Sequence, residues 1–159
     1  MARKTAYSGG TLTVKLTESL TIDGRDYGGT SSSTFSSIKN VTRRIETITT
    51  TEATIITFDT VIGAGQYIPA NIAYMRFTNL DDTNFVTLTL KNSANDEVAI
   101  KLDAGKTFVL AGDNSGGMAS MMNAVAGDAG SDTALGSITT VQADAGASTV
   151  QIEMFVAST

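Results

Sequence analysis

The chain has 159 residues, of which 42% are hydrophobic, 17% charged and 6% aromatic. That is one domain's length, apolar enough to bury a core and too sparsely charged for disorder. Cysteine, histidine and tryptophan are absent, which removes disulfide scaffolds, zinc ribbons, thiol nucleophiles and histidine-based triads or metal sites. The net charge of −5 and sequence pI of about 4.5 speak against non-specific nucleic-acid binding.

Residues 1–10 read as a flexible N-terminal arm, in which Arg3, Lys4 and Tyr7 precede Gly9-Gly10. No apolar run follows Arg3 and Lys4, so no secretory signal is read there. No stretch approaches the roughly 20 apolar residues of a membrane span. The expectation is a protein made in the cytoplasm and left there or released by lysis. Two readings of the arm stand side by side. It is an unattached chain end, or it becomes ordered on a neighbouring surface, with two positive charges and a tyrosine as its partner-binding residues. The charge distribution fits the second. Lys15, Arg25, Lys39, Arg43 and Arg44 also lie in the first third, no basic residue follows Lys106, and carboxylates continue to Glu153. Chance asymmetry on a solvated surface is the plain alternative.

Residues 11–159 read as a single β-sandwich domain. Threonine, valine and isoleucine fit a pleated surface better than a helix, and the pattern alternates. Leu12, Val14 and Leu16 share one face, opposed by Thr13, Lys15 and Thr17. Asp23-Gly24 after Leu20 and Ile22 is a hairpin signal. Phe35, Ile38, Val41, Ile45 and Ile48 have helical spacing, but the surrounding serines and β-branched residues favour extended chain, and strand is the reading adopted. Further strands are expected near 53–58, 137–142 and 148–156. The runs 72–78, 85–91, 97–102 and 107–110, joined by Asn92 to Asp96 and by Asp103-Ala104-Gly105-Lys106, read as a four-stranded antiparallel meander. Eight or more strands are too many for one flat sheet of this size. An all-β antiparallel sandwich, jelly-roll-like, is the resulting fold class. Leu88, Leu90, Ile100, Leu102, Phe108, Ile152 and Met154 are expected to face inward. Residues 115–134, rich in Gly, Ala, Asp and Met, form a long Gly/Ala-rich loop or a short helix carrying Met118, Met121, Met122 and Val125.

Motifs that resemble chemistry dissolve on inspection. Gly112-Asp113-Asn114-Ser115-Gly116-Gly117 looks like a serine-protease nucleophile loop, but an extra asparagine interrupts it and no histidine exists to act as base. Gly63-Ala64-Gly65 lacks the third glycine of a dinucleotide fingerprint and reads as a turn. Asp81, Asp82 and Asn84 could offer oxygens to calcium, though without EF-hand spacing; an acidic surface turn is the plainer reading. Asp26 beside Arg25, and Glu46 or Glu52 with Arg43 or Arg44, read as exposed ion pairs. Tyr7, Tyr27, Tyr67 and Tyr74 are scattered in sequence and do not spell out a stacking platform. No catalytic, cofactor or metal site is assigned, and the chain is expected not to be an enzyme.

The stretch Ser19-Leu20-Thr21-Ile22-Asp23-Gly24-Arg25-Asp26-Tyr27-Gly28-Gly29-Thr30 resembles small virion structural proteins of tailed bacteriophages, especially those of marine cyanobacteria. Tyr74-Met75-Arg76-Phe77-Thr78-Asn79-Leu80-Asp81-Asp82-Thr83-Asn84-Phe85-Val86 and Leu102-Asp103-Ala104-Gly105-Lys106-Thr107-Phe108-Val109-Leu110 are similar to them too. The resemblance implies an all-β protein present in many copies on the particle. It makes a capsid decoration or cement protein on the outer shell the leading expectation. The partners would be the major capsid protein and copies of itself, as a homotrimer, with no nucleic acid, membrane or small-molecule substrate. The location would be the virion, after synthesis in the bacterial host cytoplasm. A tail or fibre-associated adaptor is the alternative from the same particle. A carbohydrate-binding sandwich is the alternative from another class, disfavoured by the scarcity of rings for sugars to stack on.

Overall fold

Four antiparallel strand pairs, nested one inside another in sequence, make up the body of the computed structural model, which describes residues 8–112, 117–122 and 138–159. The innermost pair is a hairpin of β9 (Val86–Asn92) and β10 (Glu97–Leu102). Around it pair β8 (Ile72–Asn79) with β11 (Thr107–Ala111), then β6 (Ala53–Phe58) with β12 (Ile138–Ala145), and then β5 (Asn40–Ile48) with β13 (Val150–Ser158). Rolling this ribbon sets β13 beside β8 and β12 beside β9. The result is two sheets, of order β11-β8-β13-β5 and β10-β9-β12-β6, the latter extended by a short parallel strand β7 (Gln66–Tyr67). That order is a jelly roll, and the expected fold class is the one observed.

The alternation in the sequence explains which faces meet. Val86, Leu88 and Leu90 of one sheet, with Ile56, Val141 and Ala143, oppose Met75, Phe77, Ile152, Met154 and Val156 of the other, all at most 2% exposed. Ile100 and Phe108 pack against this core from its margin, partly buried. The meander does not form. Only β9 and β10 pair as neighbours in that run; the connections after Asn79 and Leu102 each cross to the opposite sheet. Turn residues such as Asp103 to Lys106 reverse the chain equally well within a sheet or between two, so they could not reveal the crossing. Asn79 pins both crossings. Its buried Nδ2 donates to Asn84 O (2.9 Å) and Leu102 O (3.1 Å), and its Oδ1 accepts from Asp81 N (2.9 Å).

The stretch around Phe35 to Ile48 is extended, as read, but divides between two strands, β4 (Gly29–Ile38) and β5. Strand β4 pairs only with β1 (Gly10–Glu18), as a hairpin outside the two sheets. A two-residue pair, β2 (Thr21–Ile22) with β3 (Arg25–Asp26), prolongs it to a turn in which Asp23 and Gly24 both have positive φ (49° and 76°). This is the I′ geometry that the Asp-Gly signal predicts. At its base, the register slips between Gly10 and Leu12, and Ser37 takes φ 59°. A bulge there bends the ribbon where it leaves the body.

A short helix, α1 (Gly117–Met122), seats Met118 fully in the core. Its entry needs glycine twice. Gly117 has φ 56°, and a Cβ there would stand 2.5 Å from Ala70 O; a Cβ on Gly112 would stand 2.5 Å from the carbonyl carbon of Gly117. The remainder of the Gly/Ala-rich loop, the serine of the protease-like motif, and the arm residues Arg3, Lys4 and Tyr7 lie outside the described residues.

Candidate interaction surface

The outer face of the four-stranded sheet is built by alternate residues of its strands, and strand register puts them in rows. Val41, Ala157, Tyr74 and Ala111 form one row; Arg43, Phe155, Arg76 and Val109 form the next; Ile45, Glu153, Thr78 and Thr107 form the third. The hairpin leans on part of this face. Phe35 and Ile38 from β4, with Leu12 and Val14 from β1, pack on Tyr74, Ala157 and Phe155. The rings of Phe35 and Tyr74 lie 6.0 Å apart, and those of Tyr74 and Phe155 5.9 Å apart, nearly edge to face. Sequence reasoning left Tyr74 as one of four scattered tyrosines. The alternation of Tyr74, Arg76 and Thr78 on β8 was the signal that could have placed it beside Phe155.

A cleft of about 370 Å³ opens between β1 and this face, lined by Leu12, Thr13, Val14, Arg43, Tyr74, Arg76 and Phe155. Its charge is organised around Glu153, which is 8% exposed. Arg43 donates through Nε and Nη2 to Glu153 Oε2 (2.9 and 2.6 Å), and Arg76 donates to Oε1. The Arg43 bonds, opposed by burial and helped by the charge of Arg76, hold the Glu153 carboxyl below the ordinary glutamate range. Burial pushes the Tyr74 phenol up, against the pull of Arg76. Two guanidiniums share one carboxylate, so the face keeps a net positive charge beside an aromatic floor.

Beyond this base the hairpin touches no core among the described residues. Leu16 (60%), Leu20 (51%), Ile22 (51%) and Tyr27 (58%) are more than half exposed. Leu12, Val14 and Leu16 share a face, as read, yet only the first two find cover. On the sheet, Val41, Ile45 and Val109 are exposed beside the covered rows. Strand β5 lies at the sheet's edge, and its Arg44 and Glu46 pair at 3.1 Å. They alternate with the outer-face residues and flank a cleft shared with Thr54 and Thr57 of β6. Charges turned inward at an edge discourage strand addition.

The other candidates from the sequence are also located. Asp81 Oδ1 accepts from Thr83 N (2.8 Å), Asn84 N (2.6 Å) and Asn84 Nδ2 (3.3 Å), bonds that hold its carboxyl below the usual aspartate range. The loop is a self-satisfied turn. Gly63 and Gln66 bridge across a turn with Gly65 at φ 73°. Asp26 accepts from Gly28 N (2.8 Å) at the hairpin neck. Among the described residues no three of the acidic, histidine or cysteine side chains gather into a metal-sized group.

Neither the protein-family models nor the curated proteins yield a match to this chain. A solved structure described as Bacillus endospore appendages forming a family of disulfide-linked pili aligns with all of this chain and 98% of its own, at 14% identity and a TM-score of 0.42. The present chain has no cysteine for such links. The jelly-roll assignment stands on the strand order itself, independently of that alignment.

Proposed function

We propose that this chain is a non-enzymatic structural subunit of a tailed-phage particle, bound as a decoration or cement protein to the outer capsid surface. The observation that carries the structural role is the β1–β4 hairpin. Its outer half carries Leu16, Leu20, Ile22 and Tyr27 more than half exposed, and Val41 and Ile45 on the adjoining sheet face are exposed as well. Soluble monomers seldom spend a long ordered element on uncovered apolar surface; contact with other proteins gives it a use. The resemblance of three segments to virion proteins supplies the particle, and the jelly roll, common among capsid domains, is compatible with it.

Binding of the purified protein to particles stripped of it, followed by imaging, tests the reading. Density on the shell in hundreds of copies is expected. Density confined to the tail in a few tens of copies would replace it with the tail-adaptor reading, and no binding to either would remove the particle from the proposal.

A further inference from the structure

We infer that the free end of the hairpin docks, head to tail, on the outer face of the four-stranded sheet of a second copy of this chain. The inference rests on the reading of the chain as a structural subunit and names its partner.

The chain itself shows what this side of the hairpin binds. Leu12 and Val14 are seated, with Phe35, on the Tyr74–Phe155 surface of their own sheet. Leu16 is the next residue on that face of β1, and farther out, toward the tip, Leu20, Ile22 and Tyr27 are exposed among the described residues. The matching surface is the uncovered remainder of the same sheet: Val41, Ile45 and Val109, around the cleft that Arg43 and Arg76 line. Both patches stay exposed within one chain among the described residues, so a second copy can bring one onto the other.

Charge points the same way. At the free end Glu18, Asp23 and Asp26 outnumber Lys15 and Arg25, whereas on the receptor Arg43 and Arg76 share Glu153. An acidic apolar tip therefore meets a basic apolar face, which favours the right partner and its register. The inward Arg44–Glu46 pair disfavours strand addition at the β5 edge, beside the receptor face.

Tip and face are different patches, so the contact is heterologous, and each copy offers one of each. Such contacts close into a ring or run on as a filament. The free end supplies fewer residues than the roughly 20–30 a side of a standard interface. A closed ring compensates, because leaving it requires two contacts to break together. A trimer is the smallest such ring beyond a dimer.

The test uses the full chain and two variants, one in the tip (Leu20→Asp with Ile22→Asp) and one in the face (Ile45→Asp), with molar mass read by sedimentation. Val109→Asp replaces the face variant should Ile45→Asp lose the wild-type circular dichroism or melting behaviour. The wild type is expected to be oligomeric. Each variant alone is expected to be monomeric, with self-association weakened at least tenfold. A monomeric wild type, or a tip or face variant with wild-type mass, would overturn the inference. Particle binding separates the two proposals. A wild type that occupies the shell as isolated monomers leaves decoration standing and removes this contact. Tip-dependent oligomers that ignore particles leave this contact standing and remove decoration.

Discussion

Arg43 Nη2 lies 2.6 Å from Glu153 Oε2, although the two residues are 110 positions apart in the chain. Rolling the outermost strand pair brings them together: β5 and β13 are the first and last strands of the jelly roll and lie side by side in one sheet. Arg76, from the strand on the other side of β13, completes the group. Glu153 sits on a central strand and is 8% exposed, so its charge depends on these two guanidiniums. Removing the carboxylate leaves two cations facing each other with their acceptor gone.

Stability should register this through pH. The folded-state pKa of Glu153 is depressed from its ordinary value of 4.5. Its contribution is therefore present above that value and is lost as the pH falls through the lower folded-state pKa. Glu153→Gln should cost about 1.5–3 kcal/mol at pH 7, the range for hydrogen bonds to charged groups. Denaturation midpoints from pH 7 to 3 should show the difference between wild type and variant shrinking below about pH 4.5. Parallel curves over the whole range would assign the stabilisation to something other than the ionised carboxylate.

The core gives a second expectation. Leu88 and Ile152 are fully buried on opposing sheets, and truncating either to alanine should cost about 2–5 kcal/mol by lost transfer energy and an unfilled cavity. Val98, on the same strand pairing as Leu90 but 42% exposed, is the control: Val98→Ala should stay within about 0.5 kcal/mol. Urea titrations read both, and equal losses at Leu88 and Val98 would show that the core extends past its assigned margin, which leaves Val98 of the edge strand β10 outside.

Alternation made these inner faces legible. Val150, Ile152, Met154 and Val156 point one way because the side-chain period of a strand is two, and the structure buries all four. The I′ turn at Asp23-Gly24 was equally plain, because few residue pairs accept two positive φ values. Pairing was not legible. β8 and β11 alternate just as β9 and β10 do, and nothing local tells a strand whether its neighbour lies beside it or across the core. The interaction surface fell between. Leu12, Val14 and Leu16 form one apolar face in the sequence, but burial at Val14 and exposure at Leu16 depend on where the body ends. Glu153 stands out in the sequence only as the last of the carboxylates, since its two partners come from strands far away in sequence.

Gly117 supports a local prediction. At φ 56° an L side chain is strained by roughly 1–2 kcal/mol, and its Cβ would press on the Ala70 carbonyl besides. Gly117→Ala should therefore destabilise by at least that amount and loosen Met118 from its fully buried position. Thermal melts would measure the first, and methyl NMR of Met118 the second. A wild-type melt would mean that α1 enters the core without the left-handed residue.

Two truncations separate the hairpin from the body. All eight jelly-roll strands lie between Asn40 and Ser158, so removing residues 1–38 keeps every strand pair of the two sheets. It uncovers Tyr74, Phe155 and Ala157, whose burial depends on Phe35, Ile38, Leu12 and Val14. Each well-buried side chain of this size is worth about 1.5–3 kcal/mol, but ordering the hairpin opposes that gain. The shortened chain should still unfold cooperatively, at a lower temperature than the full chain. Removing residues 1–8 should leave the melting transition unchanged, because β1 begins at Gly10, while reducing occupancy on particles if Arg3, Lys4 and Tyr7 anchor the arm there. Salt should weaken the full chain's binding more than that of the shortened one, since exposed charge pairs are screened beyond about 8–10 Å at physiological ionic strength. Loss of the cooperative transition without residues 1–38 would make the hairpin part of the folding unit, and full occupancy without residues 1–8 would reduce the arm to an unattached tail.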